Sequence, residues 1–287
     1  MDEKDWLLLR ALRDTRNITK AADTLNTSQP GLSKRLQLLE ERFGTSIALR
    51  SKSGIEFTPA GEYLVEYASE MLDRLRSAHE QVNDLGAEIK GTLRLGSSNY
   101  CINFFLPDIL AAFKKEHPHV EFLVTSSWSS DVVKMVASGE AHVGFIRNDN
   151  ALLPERILLC TERTFICSVR ELKLDRLPDE PQIDYKSDPL VRGALNTWWL
   201  EHYKKPPKIA MVVDRVGSSV EMVRKGLGWA FLSEKMADQL PEVWRHEVKH
   251  PDGLPHMRHT WVVSSQDAKQ LRMVSSFLDF ITKRVSA

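Results

Sequence analysis

The residues best suited to chemistry lie close together near the amino terminus, just after the polar connector Asn26-Thr27-Ser28. They are Gln29, Ser33, Lys34 and Arg35. Glutamine can form two hydrogen bonds with adenine, a serine hydroxyl can contact several bases, and lysine or arginine binds guanine or phosphate. These side chains on the first turns of a helix are typical of proteins that read the major groove of DNA. An ordinary helical hairpin with a solvated face is the other interpretation.

Two short amphipathic helices joined by a tight connector would position these residues. Thr19 is predicted to cap the first helix, whose small Ala21 and Ala22 let the second helix cross closely. Thr27 or Ser28 is predicted to cap the second helix, and Pro30 is tolerated in its first turn. The pattern predicts a helix-turn-helix. Its candidate DNA contacts are Thr19, Ser28, Gln29, Pro30, Ser33, Lys34 and Arg35.

A small β-hairpin is predicted directly after the second helix. Residues 47–50 and 55–57 have strand character, and residues 51–54 form the turn between them. Arg50 and Lys52 lie at this turn, where they could contact phosphates of the neighbouring minor groove. Because the formal net charge of the 287-residue chain is zero, a DNA-binding surface must be a local basic patch.

A heptad pattern begins after Thr58 and Pro59. Apolar residues then alternate at spacings of four and three, which predicts a long helix over residues 59–90 that ends at Gly91. A narrow stripe of this kind favours a dimerising coiled coil over a long core helix. The stripe consists of Leu64, Ala68, Met71, Leu75, Ala78, Val82, Leu85 and Ile89.

The remainder of the chain alternates between strand and helix signals, which predicts a doubly wound parallel sheet in two α/β lobes. Ligands of such sheets bind beyond the carboxyl ends of the strands. Serines at 97, 98 and 129 fall at these ends, each near a predicted helix amino terminus, where free N–H groups favour an anion.

One segment has the letter pattern of a zinc site. Residues 246–256 match H-E-x-x-H-x-x-G-x-x-H, in which two histidines one helical turn apart bind zinc. Pro241 and Pro251 leave little room for the long helix of such a site, so a zinc metalloprotease is only an alternative. Cys101, Cys160 and Cys167 have no metal-ligand spacing. No metal site or cofactor is assigned.

The chain resembles LysR-type transcriptional regulators over essentially its full length. The matching stretches are NITKAADTLNTSQPGLSKRLQLLEERFG, FTPAGEYL, GTLRLG, FLPDILAAFKKEHPHVEF and VRKGLGWAFLSE. The resemblance implies an α+β multidomain chain that is not an enzyme. It implies a winged helix-turn-helix at 1–58, a linker helix at 59–90, and a periplasmic-binding-protein-like effector domain. Lobe I of that domain would comprise 91–162 and 259–287, and lobe II would comprise 163–258.

The resemblance also implies partners. They are double-stranded DNA with a T-N11-A type palindrome, a second copy in a homodimer or homotetramer, and RNA polymerase. No signal peptide is visible in residues 1–17, and no apolar run approaches the roughly 20 residues that span a bilayer. We therefore expect a cytoplasmic protein without a membrane partner, which together with the helix-turn-helix argues against a periplasmic solute binder.

The effector is expected to bind between the lobes. The N-terminal half is most similar to citrate-responsive catabolite-control regulators of Gram-positive bacteria, which act on metabolic genes. Arg147 directly follows the third strand and Arg258 lies at a predicted crossover, so an organic anion such as citrate is the expected effector. Another carboxylate or small metabolite is an alternative, and either arginine could instead form a structural salt bridge. The predicted effector-binding residues are Ser97, Ser98, Asn99, Ser129, Arg147, Gly217, Ser218 and Arg258.

Overall fold

The first helix, α1 (Glu3–Thr15), starts at a reciprocal cap between two aspartates. The Asp2 carboxylate accepts from the amide of Asp5 at 3.1 Å, and the Asp5 carboxylate accepts from the amide of Asp2 at 2.8 Å. In this computed structural model the described residues are 1–51, 54–86, 88–147, 153 and 155–286. They divide into two compact units, Met1–Gly86 and Ala87–Ala287.

Helices α2 (Ile18–Thr24) and α3 (Gln29–Phe43) form the predicted helix-turn-helix. The cap of α2 differs from the prediction. Asn17, not Thr19, accepts the free amides of the first turn, because Asn17 lies at the capping position one residue before the helix, whereas Thr19 lies inside it. Ser28 caps α3, as one of the two predicted alternatives, and accepts from the amide of Gly31 at 3.2 Å.

The core of the first unit joins three helices, the hairpin and a fourth helix. Strands β1 (Ala48–Ser51) and β2 (Gly54–Phe57) pair antiparallel. Helix α4 (Pro59–Asp84) follows, and its first turns pack Leu64, Val65 and Ala68 into this core. The other core residues include Leu8, Leu9, Leu12, Ala21, Ala22, Leu32, Leu36 and Leu39.

The predicted end of the long helix at Gly91 is wrong. Helix α4 has 26 residues and ends at Asp84, so Leu85 caps it and Ile89 lies beyond it. Asn83 and Asp84 compete for backbone hydrogen bonds, and Gly86 favours a non-helical backbone, so the helix stops before the heptad pattern does. At 1.5 Å per residue its length is about 39 Å.

The second unit is built on a mixed sheet, which corrects the prediction of a doubly wound parallel sheet. Parallel pairing joins β3 to β4 and to β5, whereas β11 runs antiparallel to β5 and to β6. The strands are β3 (Gly91–Ser97), β4 (Val120–Ser126), β5 (Val143–Ile146), β6 (Glu155–Ser168), β7 (Pro181–Tyr185), β8 (Lys208–Val213), β9 (Ala230–Ser233), β10 (Trp244–Glu247) and β11 (Met257–Ser264). The helices are α5 (Asn99–Phe104), α6 (Leu106–Glu116), α7 (Ser129–Ala137), α8 (Pro189–His202), α9 (Val216–Arg224), α10 (Glu234–Ala237), α11 (Gln266–Lys269) and α12 (Arg272–Ser286).

The sheet is mixed because the two long strands β6 and β11 run through the unit side by side in opposite directions. The amino-terminal part of β6 pairs with β11, and its carboxyl-terminal part pairs with β9 and β10. Glu162 lies opposite Arg258 in this pairing. We use the expected boundaries at these two residues to name lobe I and lobe II. No described helix has both the length and the apolarity that a membrane span requires.

Candidate nucleic-acid interface and ligand cleft

The polar residues at the start of α3 lie together along one groove. The groove runs between α3 and the hairpin, and Ala48 and Ile55 form its hairpin side. Gln29 donates from Nε2 to the hydroxyl of Ser33, one helical turn away, at 2.9 Å. The predicted DNA contacts that line the groove are Gln29, Pro30, Ser33 and Lys34. Lys34 is exposed in this groove, and Glu40, which also lines it, accepts from the amide of Ile47 at 2.8 Å.

Arg35 does not face outward with Lys34, which corrects the sequence-based expectation. Its Nε donates to the carboxylate of Asp5 at 2.7 Å, and its Nη2 donates to Asp2 at 2.5 Å. The Asp5 side chain is only 9% exposed. The hydrogen bond from Arg35 also lowers the pKa of Asp2. Arg35 thus ties α3 to the amino terminus of α1, and its contact with DNA is still only a prediction.

The other predicted DNA contacts have varied surroundings. Thr19 is exposed at the start of α2, and the hydroxyl of Ser28 accepts the capping amide of Gly31. Arg50 lies in β1, where its backbone is paired with that of Ile55. Lys52 lies outside the described residues.

A cavity of about 710 Å³ lies between lobes I and II. Every predicted effector-binding residue lines it except Ser97. Ser97 is fully buried and donates from its hydroxyl to the carbonyl of Ser98 at 3.1 Å, so its assignment to the cleft is wrong. Further lining residues were not predicted, because they lie on helix starts, strand ends and loops without a recognisable spacing. They include Tyr100, Trp128, Tyr185, Lys186, Asp188, Asp214, Arg215 and Ser233.

Side chains of the cleft form hydrogen bonds within the loops that surround it. Ser98 caps α5 and accepts from the amide of Cys101 at 3.3 Å. Ser129 accepts from the amide of Arg147 at 3.1 Å. Asn99 accepts from the hydroxyl of Ser126 at 2.6 Å. These contacts fix the loops at the strand ends.

Arg147 forms a structural salt bridge, which was the alternative to effector binding that the sequence allowed. Its Nη2 lies 3.2 Å from the Glu162 carboxylate, and its guanidinium stacks 3.7 Å from the centre of the Tyr100 ring. Tyr100 donates to Glu162 at 2.6 Å and accepts from the hydroxyl of Ser233 at 3.0 Å. Burial raises the pKa of Tyr100, which keeps its hydroxyl protonated. Tyr100 thereby links lobe I to the crossing strand and to lobe II.

Arg258 differs from Arg147 because no carboxylate of the described residues is bonded to it. Among the residues that the structure describes, its guanidinium makes neither a hydrogen bond nor an ion pair, although it lines the cavity. Burial, and next the charge of Arg147, lower the pKa of Arg258 to about 10, so it is still a cation at neutral pH. The Nε of Arg147 is also buried without a hydrogen-bond partner in the described part of the chain. The cleft therefore has unused donors that carry positive charge.

The zinc-site pattern has no matching geometry. His246 lies on strand β10 rather than on a helix, so His246 and His250 are not one helical turn apart. His256 is buried and bonds the hydroxyl of Thr164 through Nδ1 at 2.9 Å. Burial lowers the pKa of His256 to about 4. The described residues contain no group of three or more metal-binding side chains.

Comparison with known proteins covers both units. Residues 4–62 match the model of the bacterial regulatory helix-turn-helix protein, lysR family, and residues 86–286 match the LysR substrate binding domain. The HTH-type transcriptional regulators YraN and YkuM of Bacillus subtilis are 35% and 29% identical to the chain. Each alignment covers 98% of this chain and 97% of the relative. Full-length CbnR in complex with its target DNA has a TM-score of 0.68 at 20% identity, over 99% of this chain and 100% of that one.

Proposed function

The chain belongs to the LysR family of DNA-binding transcriptional regulators, and we propose that a small organic anion in the cleft controls its binding or bending of DNA. It is a regulator with an effector-binding domain and not an enzyme. The observation that carries the proposal is the Arg258 guanidinium, a cation in the cavity between the two lobes to which none of the described carboxylates is bonded. A buried charge is costly unless it is paired, so an anionic ligand would be stabilised there.

The charges around the cleft support an anion. Glu162 is bonded to Arg147, and Asp214 pairs with Lys186 at 2.6 Å. Asp188 accepts from the amide of Ser130 at 3.2 Å. Among the described lining residues outside the two ion pairs, Arg258 and the exposed Arg215 face one carboxylate, Asp188, so the lining has an excess of positive charge. A carboxylate could bind Arg258 with two parallel hydrogen bonds.

Citrate is the first anion to test, and other carboxylates or small metabolites are the alternatives. The melting temperature of the full-length protein should rise with the logarithm of citrate concentration. Arg258→Met should abolish the rise because it keeps the bulk of the side chain and removes its charge. Arg224→Met is the matched control, since Arg224 lies on the exposed end of α9 and bonds Glu221 at 2.9 Å.

If citrate does not raise the melting temperature, a panel of mono-, di- and tricarboxylates tests the wider proposal that the effector is an organic anion. An anion that raises the melting temperature of the control but not of Arg258→Met would support it. If no carboxylate does so, the proposal of an organic anion is wrong.

DNA recognition is proposed to use the groove residues of α3. Gln29 and Ser33 would contact base edges, and Lys34, Arg50 and Lys52 would contact phosphates. A palindrome of the T-N11-A type would fit a dimer, in which two copies of α3 meet successive turns of the DNA. Site selection from random duplexes tests this, and enrichment of a sequence without dyad symmetry would contradict it.

Oligomerisation is proposed to use α4. Apolar side chains are exposed on this helix, with Tyr63 at 69%, Val82 at 68% and the cap residue Leu85 at 88%. Leu64 and Ala68 of the predicted stripe are buried in the core of their own unit, so Val82 and Leu85 would be the part of the stripe that a second copy buries. A homodimer or homotetramer would bind near promoters of metabolic genes in the cytoplasm, where RNA polymerase is the further partner.

The proposed link between ligand and DNA is lobe closure. Tyr100 and Ser233 bond to each other from opposite lobes, so the two lobes already meet at the floor of the cleft. An anion at Arg258 would shift the protein towards a more closed arrangement to the extent that it binds that arrangement better. In an oligomer, this change in the arrangement of the lobes would then alter the bend of the bound DNA.

A further inference from the structure

Lobe II contains a second cavity, separate from the cleft, beneath helix α8. Its volume is about 290 Å³, which is near the lower end of small-molecule sites. Most of its wall is apolar and comes from β7, α8, β8 and β9. The apolar wall includes Ile183, Leu195, Trp199, Leu200, Ile209 and Phe231.

One polar group in this wall lacks a partner. Gln182 is only 6% exposed, and its Oε1 is buried without a hydrogen bond to any described residue. Within the described residues its side-chain amide makes no hydrogen bond at all. A half-turn of the amide plane exchanges its oxygen and nitrogen, so Gln182 can present either an acceptor or a donor to the cavity. An amide left unpaired in an apolar wall indicates that a ligand supplies its partner.

The charged groups of the wall neutralise each other. Arg192 donates to the carboxylate of Asp184 at 2.9 Å and to the carbonyl of Tyr185 at 3.1 Å. The cavity therefore offers no net charge to a ligand, in contrast to the cleft with Arg258. A neutral occupant is favoured because an ion would lose its hydration without gaining a counter-charge.

The aromatic wall favours a flat occupant. The indole of Trp199 is stacked on Trp229, with ring centroids 5.9 Å apart. Its N–H already donates to the carbonyl of Lys205 at 2.9 Å. Trp199 can therefore offer only ring surface to a ligand, and aromatic ligands pack well against such surface.

We propose that lobe II binds a second small molecule in this cavity. The ligand class is a neutral, planar molecule of about two fused rings, with one hydrogen-bonding group directed at Gln182. This assignment of a site does not depend on the identity of the anion in the cleft.

The cavity shares part of its wall with the cleft. Tyr185 and Ser187 line both of them. The next residue, Asp188, accepts from the amide of Ser130 in lobe I at 3.2 Å. A ligand beneath α8 would hold the segment 185–188 in one arrangement, so it would change the affinity of the cleft. This regulatory consequence rests on the proposed function, whereas the binding of the ligand does not.

The test uses 5-fluoroindole as the probe, observed by fluorine NMR with the full-length protein. Its N–H can donate to the Gln182 oxygen, whereas 5-fluorobenzofuran has the same shape without that donor. We expect saturable binding of 5-fluoroindole, and about tenfold weaker binding of 5-fluorobenzofuran, since one hydrogen bond is lost. Gln182→Leu should remove the difference between the two probes. Leu195→Trp should abolish binding by filling the cavity.

Arg258→Met is the control for location, because it changes the cleft but should leave the affinity for 5-fluoroindole unchanged. The proposal is overturned if the wild type does not bind 5-fluoroindole at millimolar concentration. It is equally overturned if Leu195→Trp still binds, or if both probes bind the wild type equally. Gln182→Leu keeps the test decisive if Leu195→Trp does not fold. A protein that binds 5-fluoroindole but no carboxylate would retain this site and lose the anion proposal.

Discussion

Replacing Arg35 by alanine should loosen the attachment of α3 to α1 rather than remove a contact with DNA. The change deletes two charge-assisted hydrogen bonds, of which the bond to Asp5 matters more because that carboxylate is 9% exposed. The bond to Asp2 contributes little, since the Asp2 side chain is 66% exposed. Hydrogen bonds to charged groups contribute about 1.5–3 kcal/mol. The opening equilibrium of α1 should therefore rise roughly ten- to hundredfold.

Hydrogen–deuterium exchange of the full-length protein measures this opening directly, because it reports local unfolding helix by helix. Peptides from α1 should exchange roughly ten- to hundredfold faster in Arg35→Ala. Lys34→Ala is the matched control, since Lys34 is exposed on the same helix and should leave exchange unchanged. Unchanged protection of α1 in Arg35→Ala, combined with a weaker salt dependence of DNA binding, would show that Arg35 contacts DNA and does not hold α1 in place.

Three further outcomes follow from the described contacts. Lys34→Ala should weaken binding to all DNA sequences and reduce the slope of log affinity against log salt by about 1, as measured by anisotropy at several salt concentrations. Because the pKa of His256 is lowered in the folded protein, the histidine gains its proton between pH 7 and pH 5 when the chain is unfolded but stays neutral when it is folded. Lowering the pH from 7 to 5 should therefore reduce the free energy of unfolding of the wild type by about 2 kcal/mol. Denaturant titrations of His256→Asn should lack this loss. Gly61→Ala should destabilise the first unit by about 1–3 kcal/mol, seen as faster exchange in α4, because the added carbon would lie 2.0 Å from the carbonyl oxygen of Ile47.

The helix-turn-helix could be predicted from the sequence because the spacing of small residues and the capping residues are local signals. The small Ala21 and Ala22 at the predicted crossing of the two helices are buried, and Ser28 with Pro30 marked the start of α3. Arg35 was misplaced because its partners, Asp2 and Asp5, lie about thirty positions earlier in the chain. A helical pattern shows that a residue is near the boundary of the buried face, but not which distant carboxylate it meets.

Only part of the cleft could be predicted from the sequence, because some of its contacts join residues that are distant in the chain. Strand ends and helix caps identified Ser98, which accepts from an amide of α5, and Ser129, which accepts from the amide that follows β5. The pairing of Arg147 with Glu162 depends on strand β6 crossing the unit, and the alternation of strands and helices suggested a parallel sheet instead. The unpaired amide of Gln182 has no sequence signal, because its lack of a partner is a property of three-dimensional packing.

The most direct test of the account is the affinity of the full-length protein for a duplex selected from random DNA, measured with and without the carboxylate that raises its melting temperature. We expect the anion to change the affinity or the bend of the selected duplex for the wild type and for Arg224→Met, but not for Arg258→Met. An anion that stabilises the wild type yet leaves both affinity and bend unchanged would contradict the claim that the cleft controls DNA binding.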